Sequence, residues 1–326
     1  MATKIIGDLH IRKEEPFNTG VTIALEQLED DQKNFLIFLG DFFHSSKPFP
    51  GDYLLAITKL IELSRKNIVY IMAGNNAHEY HYIQKTWAID PLEMENVVLV
   101  KRPKTFEIEN KIYLMLPWVP QEVAKEYGAE SIEELYSDIG KFIDLPKHID
   151  YVLYHFEDET VFMGGVNHGI DLTYLDKLYP QIKRIGGHIH LQSENYLGTP
   201  YQTRYDEKGQ IPHYLVIDKD TETYKDLELY FEFVDVNYED EVPIVSNIKA
   251  AILTISNAPS VKAAEDKFRP HYGNIFIRKI ELSTGEERTL TIDQEEKNSS
   301  VKEFLNDYLS INNVDKKTSK YLLNLF

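Results

Sequence analysis

Five short polar segments, each placed directly after an apolar run of β-strand type, constrain the fold of this chain more than any other feature. They are Gly7-Asp8-Leu9-His10, Gly40-Asp41-Phe42-Phe43-His44, Gly74-Asn75-Asn76-Ala77-His78-Glu79, Tyr154-His155-Phe156 and Gly187-His188-Ile189-His190. Open α/β sheets hold their ligands in the loops at the carboxyl ends of the strands. We therefore expect the five segments to meet at one edge of a sheet and to form a site there.

The apolar runs alternate with amphipathic stretches, which is the pattern of an α/β domain. Apolar residues recur at helical spacing within 21–28 and again within 56–63, and this predicts two crossover helices. The expected strands are Lys4–Ile6, Phe35–Leu39, Val69–Met72, Tyr113–Leu116, Val152–Tyr154 and Lys183–Ile185.

The pattern changes in the last third of the chain. Turn residues between Leu197 and Asp218 predict the hairpin edge of a second sheet, and the acidic stretch Asp235–Glu241 predicts a boundary. Residues 248–256, 260–269 and 274–282 then predict a strand, a helix and a strand. Further on, a capping box of Ser300 and Glu303 precedes an apolar stripe over 301–309, and a second helix is predicted over 315–326. These two helices either pack on their own protein or dock onto a partner helix.

Composition limits the chemistry of the site. The 326 residues include no cysteine, so any metal must be held by His, Asp, Glu or Asn. The first residues lack the apolar stretch of a signal peptide and no run is long enough to span a bilayer, so we expect a cytoplasmic protein. The net charge of −18 argues against a general nucleic-acid binder, unless bound cations or a partner supply the positive charge.

The donor types in the five segments suit manganese, iron or zinc, because they are imidazole nitrogens and oxygens without sulfur. Asp8 and His10 are two residues apart, as are His188 and His190, and a locally extended backbone would point each pair the same way. Any one of these residues alone is more often a turn former or a satisfied polar side chain. The combination is what indicates a site.

The order DxH, GDxxH, GN, H, GHxH resembles the calcineurin-like metallophosphoesterase superfamily. The resemblance implies an α/β fold with a two-sheet sandwich flanked by helices, and two divalent ions that act on a phosphate ester. It assigns Asp41 as the bridging ligand. It gives one ion Asp8, His10 and His190 as further ligands, and the other ion Asn75, His155 and His188.

Further elements resemble the SbcD-type nuclease subunits and their phage recombination-nuclease relatives. They are Leu116-Pro117-Trp118, Tyr154-His155-Phe156, Gly165 with His168-Gly169, and Tyr196-Leu197-Gly198-Thr199-Pro200. This resemblance implies a DNA exonuclease and endonuclease used in recombination, repair or replication. Two ions would serve it, Mn²⁺ first, with Mg²⁺, Fe²⁺ or Zn²⁺ as alternatives. It would work as a homodimer with an SbcC-type coiled-coil ATPase.

The same resemblance implies three parts of the chain. Residues 1–235 would form the nuclease domain, 245–290 a small α/β cap that binds DNA, and 299–326 a helical segment that binds the ATPase.

One position departs from the pattern of the family. The family has His directly after the metal-binding Asn, followed by Asp, where this chain has Asn76 and Ala77. Either the histidine has been replaced, or a two-residue slip lets His78 and Glu79 take its role, with His44 as a second candidate for the catalytic histidine. Two other functions stay open: a phosphoprotein phosphatase or nucleotide phosphohydrolase of the same superfamily, and a catalytically weakened subunit that tethers DNA ends.

Overall fold

A computed structural model describes residues 1–163, 166–167, 169–242, 248–283 and 287–289 of the protein. The first nine strands are β1 Thr3–Ile6, β2 Phe35–Phe38, β3 Ile68–Met72, β4 Tyr80–His81, β5 Thr86–Trp87, β6 Val97–Val100, β7 Lys104–Ile108, β8 Lys111–Leu116 and β9 Tyr151–Tyr154. The other nine are β10 Phe162–Met163, β11 Val166–Asn167, β12 Lys183–Gly186, β13 His213–Asp218, β14 Thr221–Asp226, β15 Phe231–Asn237, β16 Ala250–Ala258, β17 Asn274–Leu282 and β18 Glu287–Thr289. The helices are α1 Phe17–Glu26, α2 Pro50–Ser64, α3 Gln121–Glu126, α4 Ile132–Ser137, α5 Thr173–Leu178 and α6 Val261–Tyr272.

The mixed α/β class expected from the sequence is confirmed, and so are all six expected strands. The first sheet has the strand order β14-β13-β1-β2-β3-β6, in which β1, β2, β3 and β6 run parallel. Helix α1 connects β1 to β2, and helix α2 connects β2 to β3, which confirms the two crossover helices. Helix α2 begins at Pro50, where a missing N–H costs nothing, and the side chain of Asp52 accepts a hydrogen bond from the Phe49 N–H at 2.7 Å.

The second sheet has the order β12-β9-β8-β7 and shares a core with the first. Ile37 and Met72 of the first sheet belong to the same buried cluster as Met115 and Leu153 of the second. Strands β8, β9 and β12 are parallel, so their carboxyl ends lie at one edge. The sequence of β9, with all four residues buried, is the continuous apolar run of a strand covered on both faces.

A third sheet of four strands, ordered β15-β16-β17-β18, carries α6 between two of its parallel strands. This confirms the strand, helix and strand expected over 248–282. One face of the sheet packs on α6 through residues such as Leu253 and Phe268. The other face joins the core of the first sheet, since Phe231 and Ile252 cluster with Phe17 of α1.

The segment 197–218 differs from its expected place. We predicted the hairpin edge of a second sheet, whereas β13 pairs antiparallel with β1 at the side of the first sheet and forms its hairpin with β14. Alternating apolar residues indicate a strand but do not indicate which other strand it pairs with. The preceding residues 197–212 form a loop that crosses the edge where the polar segments meet.

Other expectations lie partly or wholly outside the described residues. They are His168, the residues 243–247, 284–286 and 290 of the small α/β unit, and the helical segment 299–326. Across the described part of the chain, no helix is both long and apolar enough to cross a membrane.

Candidate metal centre

The five polar segments follow β1, β2, β3, β9 and β12, as the sequence indicated. The structure brings their side chains together at one edge of the two sheets. Asp8, Asp41, Asn75, His155 and His190 are all at least nine-tenths buried there. His188 is more open, with 30% of its side chain exposed.

Asp41 lies at the middle of the cluster. Its Oδ1 is 3.1 Å from His155 Nε2 and accepts a hydrogen bond from the Asn75 N–H at 2.9 Å. Its Oδ2 is 4.0 Å from His10 Nε2 and 3.8 Å from His78 Nε2. A carboxylate with one oxygen toward each group of histidines has the position that a bridging ligand requires.

Three histidines are oriented by an oxygen acceptor at Nδ1. The acceptor is the Leu39 carbonyl for His155 at 2.9 Å, Glu207 for His190 at 2.6 Å, and the His44 carbonyl for His78 at 2.7 Å. Such a bond places the proton on Nδ1 and turns the lone pair of Nε2 toward the centre. This is the arrangement of metal-ligating histidines, in which the outer hydrogen bond fixes tautomer and ring orientation.

Glu207 is a site residue that the sequence analysis missed. Only 1% of its surface is exposed. Its Oε1 accepts hydrogen bonds from His190 Nδ1 at 2.6 Å and Thr203 Oγ1 at 2.7 Å, and its Oε2 accepts from Thr199 Oγ1 at 2.9 Å and the Thr203 N–H at 2.5 Å. Burial alone would raise the pKa of Glu207, but the hydrogen bonds from His190 and Thr203 lower it below its usual value. Glu207 is therefore an anion that holds His190 in place.

Glu79 has a similar role for the backbone. The sequence suggested that it forms a pair with His78, but its carboxylate instead accepts hydrogen bonds from the Phe42 N–H and the Gly74 N–H, both at 2.5 Å. It thus ties together the two turns that carry Asp41 and Asn75. Gly74 is needed at its place, because a Cβ there would lie 2.1 Å from Asp41 Oδ1.

The donor atoms fit divalent cations. Asp8, His10 and His190 form one group and Asp41, His155 and His188 another, with the donor atoms of each group within 4.8 Å of one another. Ligand atoms bound at about 2.0–2.2 Å lie roughly 3–4 Å apart, so both groups have the right size. Moreover, Asp8 Oδ1 is buried without a hydrogen-bond partner, and His10 Nε2 faces His190 Nε2 at 2.8 Å.

Asn75 meets the second group through its amide. Its Nδ2 lies 2.8 Å from Asp41 Oδ2 and 3.4 Å from His188 Nδ1, and its Oδ1 accepts the Ala77 N–H at 2.8 Å. Coordination through Oδ1 requires the amide to turn over. The two orientations are nearly equal in shape, so this is a local rotation about one bond.

Burial and close contacts shift the pKa values of the carboxyl and imidazole groups in the cluster. Burial raises the pKa of Asp8 to about 6, although His155 opposes the shift. Burial would also raise the pKa of Asp41, but His155 lowers it to about 2. Burial and the neighbouring His190 lower the pKa of His10 well below its usual value. Bound cations favour both carboxylates and neutral imidazoles, which is the form in which these residues act as ligands.

Both candidate catalytic histidines lie next to the ligands. The ring centroid of His10 is 4.5 Å from that of His78 and 5.7 Å from that of His44. His44 Nε2 lies 3.3 Å from the guanidinium of Arg12, whereas His78 Nε2 faces Asp41. Asn76 is exposed, and its amide Nδ2 lies 3.5 Å from the Tyr82 hydroxyl. Of these two positions, His78 is therefore the one whose side chain faces the candidate ligands.

The backbone at the ligands differs from the extended conformation that we expected. His10, Asp41 and His188 have φ values of +47°, +40° and +76°. These lie in the left-handed region, which costs a residue with a Cβ roughly 1–2 kcal/mol. Backbone strain of this kind is concentrated at functional sites, where the surrounding structure holds it in place.

The loop 199–210 connects the metal centre with the third sheet. Next to Glu207, Tyr205 donates a hydrogen bond to Asp235 of β15 at 2.5 Å, and Lys208 binds the same carboxylate at 2.8 Å. The guanidinium of Arg278 of β17 lies 4.5 Å from the centre of the Tyr205 ring. Arg204, in the same loop, is exposed and lines the cleft at the metal centre beside Asn75, His78 and His188.

Residues 1–192 match the calcineurin-like phosphoesterase family. The match covers more than half of the 326 residues, and the chain belongs to this family. The family accounts for a site of Asp, His and Asn ligands at strand ends, and metal-dependent hydrolysis of phosphoesters is the activity that it indicates. A comparison with curated proteins finds no match.

Proposed function

We propose that the chain is the nuclease subunit of a DNA end-processing enzyme, which hydrolyses phosphodiester bonds with two divalent ions, Mn²⁺ first among them. The observation that carries the proposal is the convergence of six donor residues into two groups that meet at Asp41, with Asn75 beside Asp41 and a cleft open on one side. The ligands would be those assigned above, with Asp41 shared between the ions. Bound ions of this kind neutralise the charge that develops on the phosphate and activate the attacking water.

The residues of the chain supply binding and proton handling. Arg204 is placed at the cleft to bind a phosphate oxygen, and a guanidinium can do so with two hydrogen bonds. Burial lowers the pKa of His78, and its Nδ1 donates to the His44 carbonyl, so its Nε2 is a lone pair that would accept a proton or a hydrogen bond at the cleft. Glu207 holds His190 in the orientation of a metal ligand, and the Leu39 carbonyl does the same for His155.

The preference for DNA is supported by the part of the chain beyond residue 192, where the family match ends. The segment Tyr196–Pro200 leads into the loop that carries Arg204 and Glu207. The unit of β15, β16, α6, β17 and β18 lies directly against this loop through Tyr205, which is a suitable place for a DNA-binding cap on a two-sheet sandwich. We further propose that 299–326 binds an SbcC-type ATPase and that the nuclease acts as a homodimer, so that partners share the DNA contact with an acidic chain.

A nuclease assay with labelled single-stranded and duplex DNA tests the proposal. Mn²⁺-dependent cleavage is expected from the full chain, with and without the cognate ATPase. His188→Ala should lower the rate by about a hundredfold or more, because it removes a ligand and loss of an outer partner alone costs about 10–100-fold. His148→Ala is the matched control, since this histidine is mostly exposed and pairs with Asp150 away from the centre.

Three results would point elsewhere. Rapid turnover of phosphopeptides or mononucleotides with intact DNA would assign the chain to the phosphatases or nucleotide phosphohydrolases. Binding of DNA ends with Mn²⁺ but no hydrolysis of any ester would identify a tethering subunit. Cleavage that persists in His188→Ala would show that the nuclease is a contaminant.

A further inference from the structure

The cleft at the metal centre has a volume of about 590 Å³ and extends well beyond the candidate ligands. Ligand sites for small organic molecules have volumes of about 300–1,000 Å³, so this cleft has room for more than a phosphate group. Its lining divides into two parts of different chemistry. We call them the phosphate side, with Asn75, His78, His188 and Arg204, and the apolar side, with Trp118, Ile132, Glu133, Phe156 and Ile170. The lining also contains Glu157, whose Oε1 lies 3.9 Å from His188 Nε2.

The apolar side is unsuited to a phosphate. Its walls are an indole, a phenyl ring and two isoleucines, and its carboxylate, Glu133, is exposed. A phosphate there would lose hydration and meet a like charge. An uncharged ring fits both features, because it can cover the indole and donate an amino or imino hydrogen to the carboxylate.

The backbone and the ring of Trp118 are both fixed by neighbouring residues. Trp118 is partly exposed in a run, 113–120, whose other residues are all buried. Its backbone N–H donates to the Ala73 carbonyl at 3.1 Å, two residues before Asn75. Its ring meets those of Tyr80 and Trp87 at centroid distances of 6.3 Å each. The indole is therefore fixed relative to the metal centre before any substrate arrives.

We propose that the apolar side is a nucleoside subsite, in which the base next to the scissile phosphate stacks on Trp118 and bonds to Glu133. The inference rests on the proposed function, since it takes the phosphate side to hold the phosphate of the same nucleotide. Stacking of a base on an aromatic side chain is sequence-tolerant because every base has a π-face. The subsite thus selects nucleotides over other phosphoesters without selecting a sequence.

Binding of small ligands tests the subsite without relying on cleavage. The probes are thymidine 3′- and 5′-monophosphate, with deoxyribose 5-phosphate as the ligand that lacks a base, all in Mg²⁺. At least one thymidine monophosphate should bind about 5- to 150-fold more tightly than the sugar phosphate, which is the range that one stacked base is worth. In a Trp87→Phe background, binding of that nucleotide should also quench the fluorescence of Trp118, whereas the sugar phosphate should not.

Variants of Trp118 test whether the indole causes the preference for the nucleotide over the sugar phosphate. Trp118→Ala should bind thymidine monophosphate and deoxyribose phosphate alike, and Trp118→Phe should keep part of the preference. Tyr224→Ala is the control, because this aromatic residue is 57% exposed on β14 and does not line the cleft. A folded Trp118→Ala that keeps the full preference overturns the inference. If that variant does not fold, unchanged Trp118 fluorescence at saturating nucleotide in the Trp87→Phe protein overturns it instead.

The inference and the proposed function can fail separately. A protein that shows the base preference but leaves DNA intact keeps the subsite and loses the nuclease. A protein that cleaves DNA and shows no base preference keeps the nuclease, and the apolar side is then not a subsite.

Discussion

Replacement of Glu207 tests whether the centre depends on a residue outside the ligand set. Glu207→Ala would remove four acceptor contacts from a buried carboxylate. The hydroxyls of Thr199 and Thr203 can rotate toward other acceptors, and Thr203 Oγ1, 3.1 Å from His190 Nδ1, can accept the His190 Nδ1–H. The Thr203 N–H would lose its acceptor. A buried donor without a partner costs about 1–3 kcal/mol, so we expect Glu207→Ala to lower the free energy of unfolding by about 1–3 kcal/mol.

Glu207→Gln is the more informative variant because it keeps the volume and one acceptor oxygen. With only one oxygen, it cannot satisfy both His190 and Thr203, so the imidazole loses its fixed tautomer. Loss of such an outer partner typically lowers metal affinity or activity by about 10–100-fold. We expect a shift of that size in the Mn²⁺ dissociation constant measured by calorimetry, with a smaller loss of stability than in Glu207→Ala.

Glu194→Gln is the matched control, since Glu194 follows His190 in the same region but is exposed. It should leave both Mn²⁺ binding and unfolding unchanged. If Glu207→Gln binds Mn²⁺ as tightly as the unmodified chain, and both unfold at the same temperature in EDTA, the reasoning about His190 is wrong.

The other predictions concern proton handling, substrate binding and stability. His78→Ala should lower kcat by about 10²–10⁴-fold, as expected for loss of a general acid or base, while Asn76→His should raise it less than tenfold in the same cleavage assay. Arg204→Ala should raise KM for DNA by about tenfold or more, and the increase should be smaller in Arg204→Lys. Burial raises the pKa of Asp52 to about 6. A carboxyl with a raised pKa contributes stability below pH 4 that is lost as the pH rises through 6. Asp52→Asn should therefore gain stability relative to the unmodified chain over pH 4–7 in urea unfolding.

The positions of the ligands could be predicted from the sequence because they depend on local signals. A buried strand is recognised by its apolar residues, and a polar segment directly after it must lie at the strand end. Asp8, Asp41 and His155 are all of this kind. The conformations of His10 and His188 could not be predicted in the same way, because their positive φ values are imposed by neighbours distant in the chain.

Glu207 shows a second limit of sequence reasoning. It lies in a loop, far along the chain from β1 and with no periodic pattern around it, and only the folded structure shows its contact with His190. The misplaced hairpin at 197–218 has a related cause. Alternating residues in β13 indicate a strand, but its pairing with β1 joins positions about 210 residues apart, and no local signal encodes such a pairing.

The contacts of Tyr205 with Asp235 and Arg278 have a consequence for how the protein could be dissected. A chain shortened before β15 would take away both of these partners and uncover Phe17, against which Phe231 packs at a ring distance of 5.3 Å. The loop that aligns His190 would then be anchored at one side only. Lower phosphoesterase activity in such a shortened chain would report a loosened metal centre as much as a missing contact with the substrate. Point changes on the outer face of α6 would separate the two.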